Sequence, residues 1–98
     1  MSNLQDLAAQ LMEIGGKVPV ALAKQVHALV QEAHQMQSDS VAMVGQVLGD
    51  SPMNSRLQQA GSEALTGLGE SLAPLEMTIA MLEGYRASLQ DAAAELLR

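Results

Sequence analysis

The sequence predicts an all-α protein: a helical hairpin of two long helices preceded by a short N-terminal helix. Three observations carry this. Core-type positions in the first half recur in steps of three and four, at Leu22, Val26, Leu29, Ala33, Met36, Ser40, Val44 and Val47. A longer coiled-coil-like series runs through the second half, from Leu57, Gly61 and Ala64 through Leu68, Leu72, Leu75, Ile79, Leu82, Arg86 and Leu89 to Ala93 and Leu96. Between the two series, Gly49-Asp50-Ser51-Pro52 supplies residues that favour a turn.

The first helix is expected over about 3–14, with Ser2 as N-cap and Leu4, Leu7, Leu11 and Ile14 on one face. Gly15-Gly16 ends it, and Pro19 suits the first turn of the next helix, expected over about 18–48. Ser38-Asp39-Ser40 is the weak point there, because these side chains compete for backbone hydrogen bonds. A hinge at 49–54 follows, with Asn54 or Ser55 capping a third helix over about 55–97. Pro74 lacks an amide hydrogen and crowds the preceding turn, so 69–74 is where the helix would divide; the sequence leaves both a divided and a continuous helix open. No repeat divides the chain, and residues 1–98 read as a single helical domain.

Composition sets the energetic problem. A 98-residue chain buries only about 60 to 65% of the surface its unfolded form exposes. Here the core must be made without Phe or Trp and with a single Tyr. Each aromatic would bury about 150 to 250 Å². Small residues at Gly61 and Ala64, and at Gly45 and Gly49, imply close helix approach, since glycine inside a helix costs about 1 kcal/mol relative to alanine.

At the same time 48% of residues are hydrophobic and only 16% charged, against a usual charged share of about 25%. One hairpin cannot hide that much apolar surface: Val20, Val30, Val41, Met43, Met77 and Met81 all lie off the predicted seams. The surplus predicts a self-associating or obligately partnered protein, most simply a four-helix bundle completed by dimerisation.

Charge and chemistry exclude several classes. A formal net charge of -6, with Lys17, Lys24, Arg56, Arg86 and Arg98 scattered, argues against nucleic acid and anionic membrane as partners. There is no cysteine, hence no disulfide or thiol chemistry. No stretch is long and apolar enough for a membrane span, and no basic start followed by an apolar run marks a signal peptide. A cytoplasmic protein, or one exported without a conventional signal peptide, is expected.

Catalytic, cofactor and metal sites are not expected, nor is a small-molecule substrate. His27 and His34 are two turns apart, about 10 Å along a helix, which is too far to ligate one metal, and Gln31 stands between them. Only a symmetric dimer would gather four histidines. Glu63, Glu70, Glu76, Glu83, Asp91 and Glu95 recur as a solvated stripe rather than a carboxylate pair in a cleft. The seven methionines read first as core filling; an adaptable client-binding groove requires several to be exposed together.

The residues expected to carry function are therefore interface residues: Leu22, Val26, Leu29 and Val44 on the second helix, and Leu68, Leu75, Ile79, Leu82, Tyr85 and Leu89 on the third, with Gly49 and Pro52 as hinge. The expected partner is a second copy or another helical protein. The alternative is a cytosolic adaptor or chaperone-like regulator binding one client.

In length, helicity, lack of cysteine and central hinge the chain resembles the Trp-x-Gly family of type VII (ESX-like) secretion substrates. Val47-Leu48-Gly49 keeps the glycine of the hinge motif and lacks its tryptophan. Near the C-terminus the family has Tyr, three residues, then Asp or Glu; here Tyr85 is followed at that spacing by Leu89, with Asp91 two residues later. The resemblance implies antiparallel four-helix dimers and export without a cleaved signal. It marks Gly49 as hinge and Tyr85 as a recognition residue.

Overall fold

The structure, a computed structural model, describes residues 3–98, so the expected cap at Ser2 lies outside the described residues. It is all-α, with α1 Asn3–Gly16, α2 Val20–Leu48 and α3 Pro52–Leu96. Contacts group into two units: Met1–Lys24 with Met77–Arg98, and Gln25–Glu76. α2 and α3 each contribute residues to both units.

In the first unit, α1 ends with Lys17 N donating to Ile14 O and Val18 N to Gly15 O. Ala23 N donates to Pro19 O at 3.0 Å, so α2 begins at Val20, two residues later than the sequence suggests. The core of this unit is built from Ala8, Val20, Ile79 and Ala93, each no more than 9% exposed, together with the buried Gly15. A Cβ built on Gly15 would stand 3.9 Å from Leu89 Cβ, an ordinary van der Waals contact with α3. The inward residues of α1 are Ala8, Leu11 and Gly15, whereas Leu4, Leu7 and Ile14, expected on the packed face, are exposed. Small side chains face the neighbouring helices, and large ones remain outside. Lys24 Nζ and Glu83 Oε2 approach to 3.5 Å at the surface, a pair too exposed to stabilise much.

The second unit is a helical hairpin. Its turn is set by Gly49, which among the described residues alone has a positive φ, +51, at no steric cost because it lacks a Cβ; Gly49 N donates to Gly45 O and Ser51 N to Leu48 O. α3 then starts at Pro52, not at 55: Ser51 Oγ accepts from Met53 N at 3.3 Å as the N-cap, and Pro52 takes the first helical position, where its missing amide costs nothing. Asn54, expected as a cap, instead donates from Nδ2 to Gly49 O at 2.9 Å and ties the helix start back to the turn.

Both expected weak points are helical. Asp39 Oδ1 accepts from Gln35 Nε2 one turn earlier at 3.0 Å, so its carboxylate does not compete for the backbone. α3 runs through Pro74 without interruption, which decides between the two courses that the sequence leaves open near 69–74. Pro74 and Glu70 are exposed, so the proline ring lies on the outer side of α3, while the half-buried Leu72 and Leu75 keep the flanking turns packed.

Candidate protein-interaction face

The two helices of the Gln25–Glu76 hairpin meet along residues unlike the predicted apolar seam. On α2 the half-buried positions of this unit include the row His27, Val30, His34, Gln37, Val41 and Leu48, with Ala33, Ser38, Val44 and Gly45 beside it. This row lies one residue, about 100° of helix rotation, from the predicted one. Val30 and Val41, placed off the seam by sequence, are on it. On α3 the inward row is Gln58, Gly61, Leu65, Leu68, Leu72 and Leu75, which agrees with prediction from Leu68 onward but replaces Leu57 and Ala64 with Gln58 and Leu65.

The cause is a close approach with a polar clasp on either side. A Cβ built on Gly61 would lie 2.7 Å from Val41 Cγ2, a distance real Cβ atoms do not tolerate. Gln37 Nε2 of α2 donates to Gly61 O at 3.0 Å, and Gln58 Nε2 of α3 donates back to Val41 O at 2.8 Å. Gln58 also donates to Asn54 Oδ1, and a Cβ on Gly45 would meet its Nε2 at 3.1 Å. Glycines on both helices thus leave room for each glutamine to reach the opposite backbone. Such partly buried hydrogen bonds contribute about 0.5 to 1.5 kcal/mol each and specify register.

The histidines belong to this same inward row. His27 Nε2 lies 3.1 Å from Glu76 Oε1, and the ring of His34 packs over Gly69. Both point at α3 of their own chain, an arrangement opposed to gathering four histidines across a dimer. Among the described residues no group of three or more His, Asp or Glu could hold a metal ion.

With that row turned inward, most of the predicted α2 seam faces solvent, while its Ala33 and Val44 stay half-buried. Leu29, Met36 and Val47 of that seam are 56, 65 and 80% exposed and Val26 is exposed as well; beside them Met43, which the sequence places off the seam, is 61% exposed. At the turn end this stripe opens into a groove of about 690 Å³, floored by Met36, Met43, Val44 and Val47 from α2 and by Met53 and Leu57 from α3, with Asp39 and Ser40 on its wall. Three methionines are therefore exposed together. No residue of the hairpin unit falls in the buried class.

The expected interface set divides accordingly. Leu22, Val26 and Leu29 are exposed, Val44 is half-buried, and Leu68, Leu75, Leu82 and Leu89 are half-buried within the chain, with Ile79 in the core of the first unit. Tyr85 is 55% exposed beside a small crevice lined by Ile14, Lys17, Val18, Pro19 and Leu82. Arg86 occupies a half-buried position on α3. Gly49 and Pro52 stand at the turn and at the first position of α3. The groove residues Met43, Met53 and Leu57 were not among the expected interface residues. Their signal was present in the exposed-methionine condition, but only the hairpin register places them side by side.

No helix among the described residues is long and apolar enough to cross a membrane. Compared with protein-family models, with curated proteins and with solved structures, the chain has no match.

Proposed function

We propose that this chain is a non-enzymatic protein-interaction module that completes a helical bundle with a second helical chain, another copy or a different protein. The observation that carries the reading is the solvent-facing stripe Val26, Leu29, Met36, Met43 and Val47, in a hairpin with no residue in the buried class. Covering one such leucine fully contributes about 1.5 to 3 kcal/mol, so a partner on this face supplies what the hairpin lacks. Gly49 at the left-handed turn occupies the place of the family glycine, which supports assignment as a type VII (ESX-like) secretion substrate or the helical partner of an effector. On that assignment the chain acts in the cytoplasm or is exported without a conventional signal peptide.

A second reading, an adaptor or chaperone-like regulator, is favoured by the joint exposure of Met36, Met43 and Met53 around one groove. Thioether side chains repack easily around different clients.

Absolute mass by light scattering after gel filtration, over a range of concentrations and with urea unfolding alongside, tests the module reading. It predicts either a stable oligomer that Leu29→Asp dissociates without loss of helicity, or a monomer that unfolds at low urea without a sharp transition. A monomer with a cooperative transition worth about 5 kcal/mol or more would overturn it, since such a chain needs no cover.

A further inference from the structure

We propose that the groove at the turn end of the hairpin is an oxidation site: a hydroperoxide converts Met36, Met43 and Met53 to sulfoxides, which closes the groove to apolar ligands while the helices persist. The inference concerns the groove's own sulfur chemistry and goes beyond the interaction-module reading.

The methionines are all outside. Among the described residues, Met12, Met36, Met43, Met53, Met77 and Met81 are between 50 and 70% exposed, and neither the core of the first unit nor the inward rows of the hairpin contain a methionine. The core filling expected of this side chain is thus done by none of them. With no Cys and no Trp in the chain, these thioethers are the groups that an oxidant meets first.

Three of the six line one cavity. Met36 and Met43 stand two turns apart on α2, about 10 Å, and Met53 comes from the first turn of α3. The groove volume of about 690 Å³ falls in the range, about 300 to 1,000 Å³, that holds small ligands. A single sulfoxide on so flexible a side chain can turn out to solvent. Sulfoxides at all three positions put a polar S=O group on both helices that form the groove. Met12, Met77 and Met81 belong to the other unit and lie outside it.

In the reaction the thioether sulfur attacks one oxygen of the peroxide. An S–O bond forms as the O–O bond breaks, sulfur loses two electrons to the peroxide, and the departing hydroxide takes up the proton of the transferred oxygen and leaves as water. Burying the new S=O under an apolar ligand is unfavourable without a donor. On the groove wall the Ser40 hydroxyl can donate, whereas the Asp39 carboxylate only accepts and is already bonded to Gln35. The hairpin itself is spared, because the bonds that hold it, Gln37 Nε2 to Gly61 O and Gln58 Nε2 to Val41 O, involve no sulfur.

The test uses the full chain, hydrogen peroxide and the uncharged apolar dye Nile red. Peptide mass mapping follows oxygen uptake at each methionine, and circular dichroism follows the helices. The expected result is that the reduced chain binds the dye, that Met36, Met43 and Met53 oxidise as fast as Met77 and Met81, and that helicity persists. Dye binding should then weaken about fivefold or more. Methionine sulfoxide reductases of both stereospecificities should restore it. A triple variant, Met36→Leu with Met43→Leu and Met53→Leu, should bind the dye and be insensitive to peroxide, whereas Met77→Leu with Met81→Leu should stay sensitive. Reversal by the reductases reads the same dependence without any substitution.

A reduced chain that binds no dye, oxidation that melts the helices, binding that does not return on reduction, or a triple variant as sensitive as the parent overturns the inference. So do groove methionines that resist peroxide while Met77 and Met81 react, since the groove is then covered in solution, an outcome that leaves the interaction-module reading intact.

Discussion

Gly61 and Val41 hold the hairpin in register: a Cβ on Gly61 would stand 2.7 Å from Val41 Cγ2, while Gln37 and Gln58 bond across the contact to the Gly61 and Val41 carbonyls. Val41 is β-branched and cannot swing aside without leaving its rotamer. Gly61→Ala should therefore gain up to about 1 kcal/mol of helix propensity and lose about 1 to 3 to overpacking, for a net loss. Gly67→Ala is the control: nothing lies within 4 Å of its Cβ, so only the gain remains. Urea unfolding followed by circular dichroism should move the two midpoints in opposite directions.

The glutamine clasp makes a second prediction. Gln37→Ala and Gln58→Ala should each destabilise by about 0.5 to 1.5 kcal/mol, because each removes a donor from a carbonyl that keeps its helical bond. A double-mutant cycle should give a coupling above about 0.5 kcal/mol, since both bonds depend on the same helix separation. Strict additivity would mean that the two bonds form independently of that separation.

At the turn, Gly49→Ala should cost about 1 to 2 kcal/mol, the penalty for a Cβ at φ +51, and Gly49→Asn should cost less. Ser51→Ala should cost about 1 kcal/mol by removing the cap on Met53 N. Thermal melts should place Gly49→Ala lowest or level with Ser51→Ala, and Gly49→Asn above Gly49→Ala.

Burial in the first unit separates Ile79 from its neighbours along α3. Ile79→Ala should lose about 2 to 4 kcal/mol, whereas Met77→Ala and Met81→Ala, at 67 and 70% exposure, should stay within about 0.5 kcal/mol in the isolated chain. A large loss at Met77 or Met81 in the isolated chain would mean that this face is covered in solution.

Leu75→Asp and Leu29→Asp distinguish the two faces. Leu75 is half-buried against its own chain, so aspartate there should lower helicity and stability directly. Leu29 is exposed, and aspartate there should leave the spectrum unchanged while preventing association. Paired spectra and light scattering read both effects.

Periodicity, glycine and proline determined the helical class, the three helices, the turn at Gly49 and the inward row of α3 from Leu68 to Leu96, because α3 carries one dominant apolar stripe. The composition also foretold surplus apolar surface, since the hydrophobic share exceeds what a hairpin covers. Which stripe of α2 would be left outside was not legible. α2 has two heptad rows about 100° apart, and the larger side chains Leu22, Leu29 and Met36 mark the wrong one as the intrachain seam. Tertiary structure decided for the smaller and more polar row, because Gly45 and Gly61 permit backbone approach and the glutamines can then reach opposing carbonyls. Those long-range bonds have no periodic signature in sequence, yet they turn the α2 stripe outward and gather Met36, Met43, Met53 and Leu57 into one groove. The continuity of α3 through Pro74 likewise depended on which side of the helix met solvent, and that is a property of packing alone.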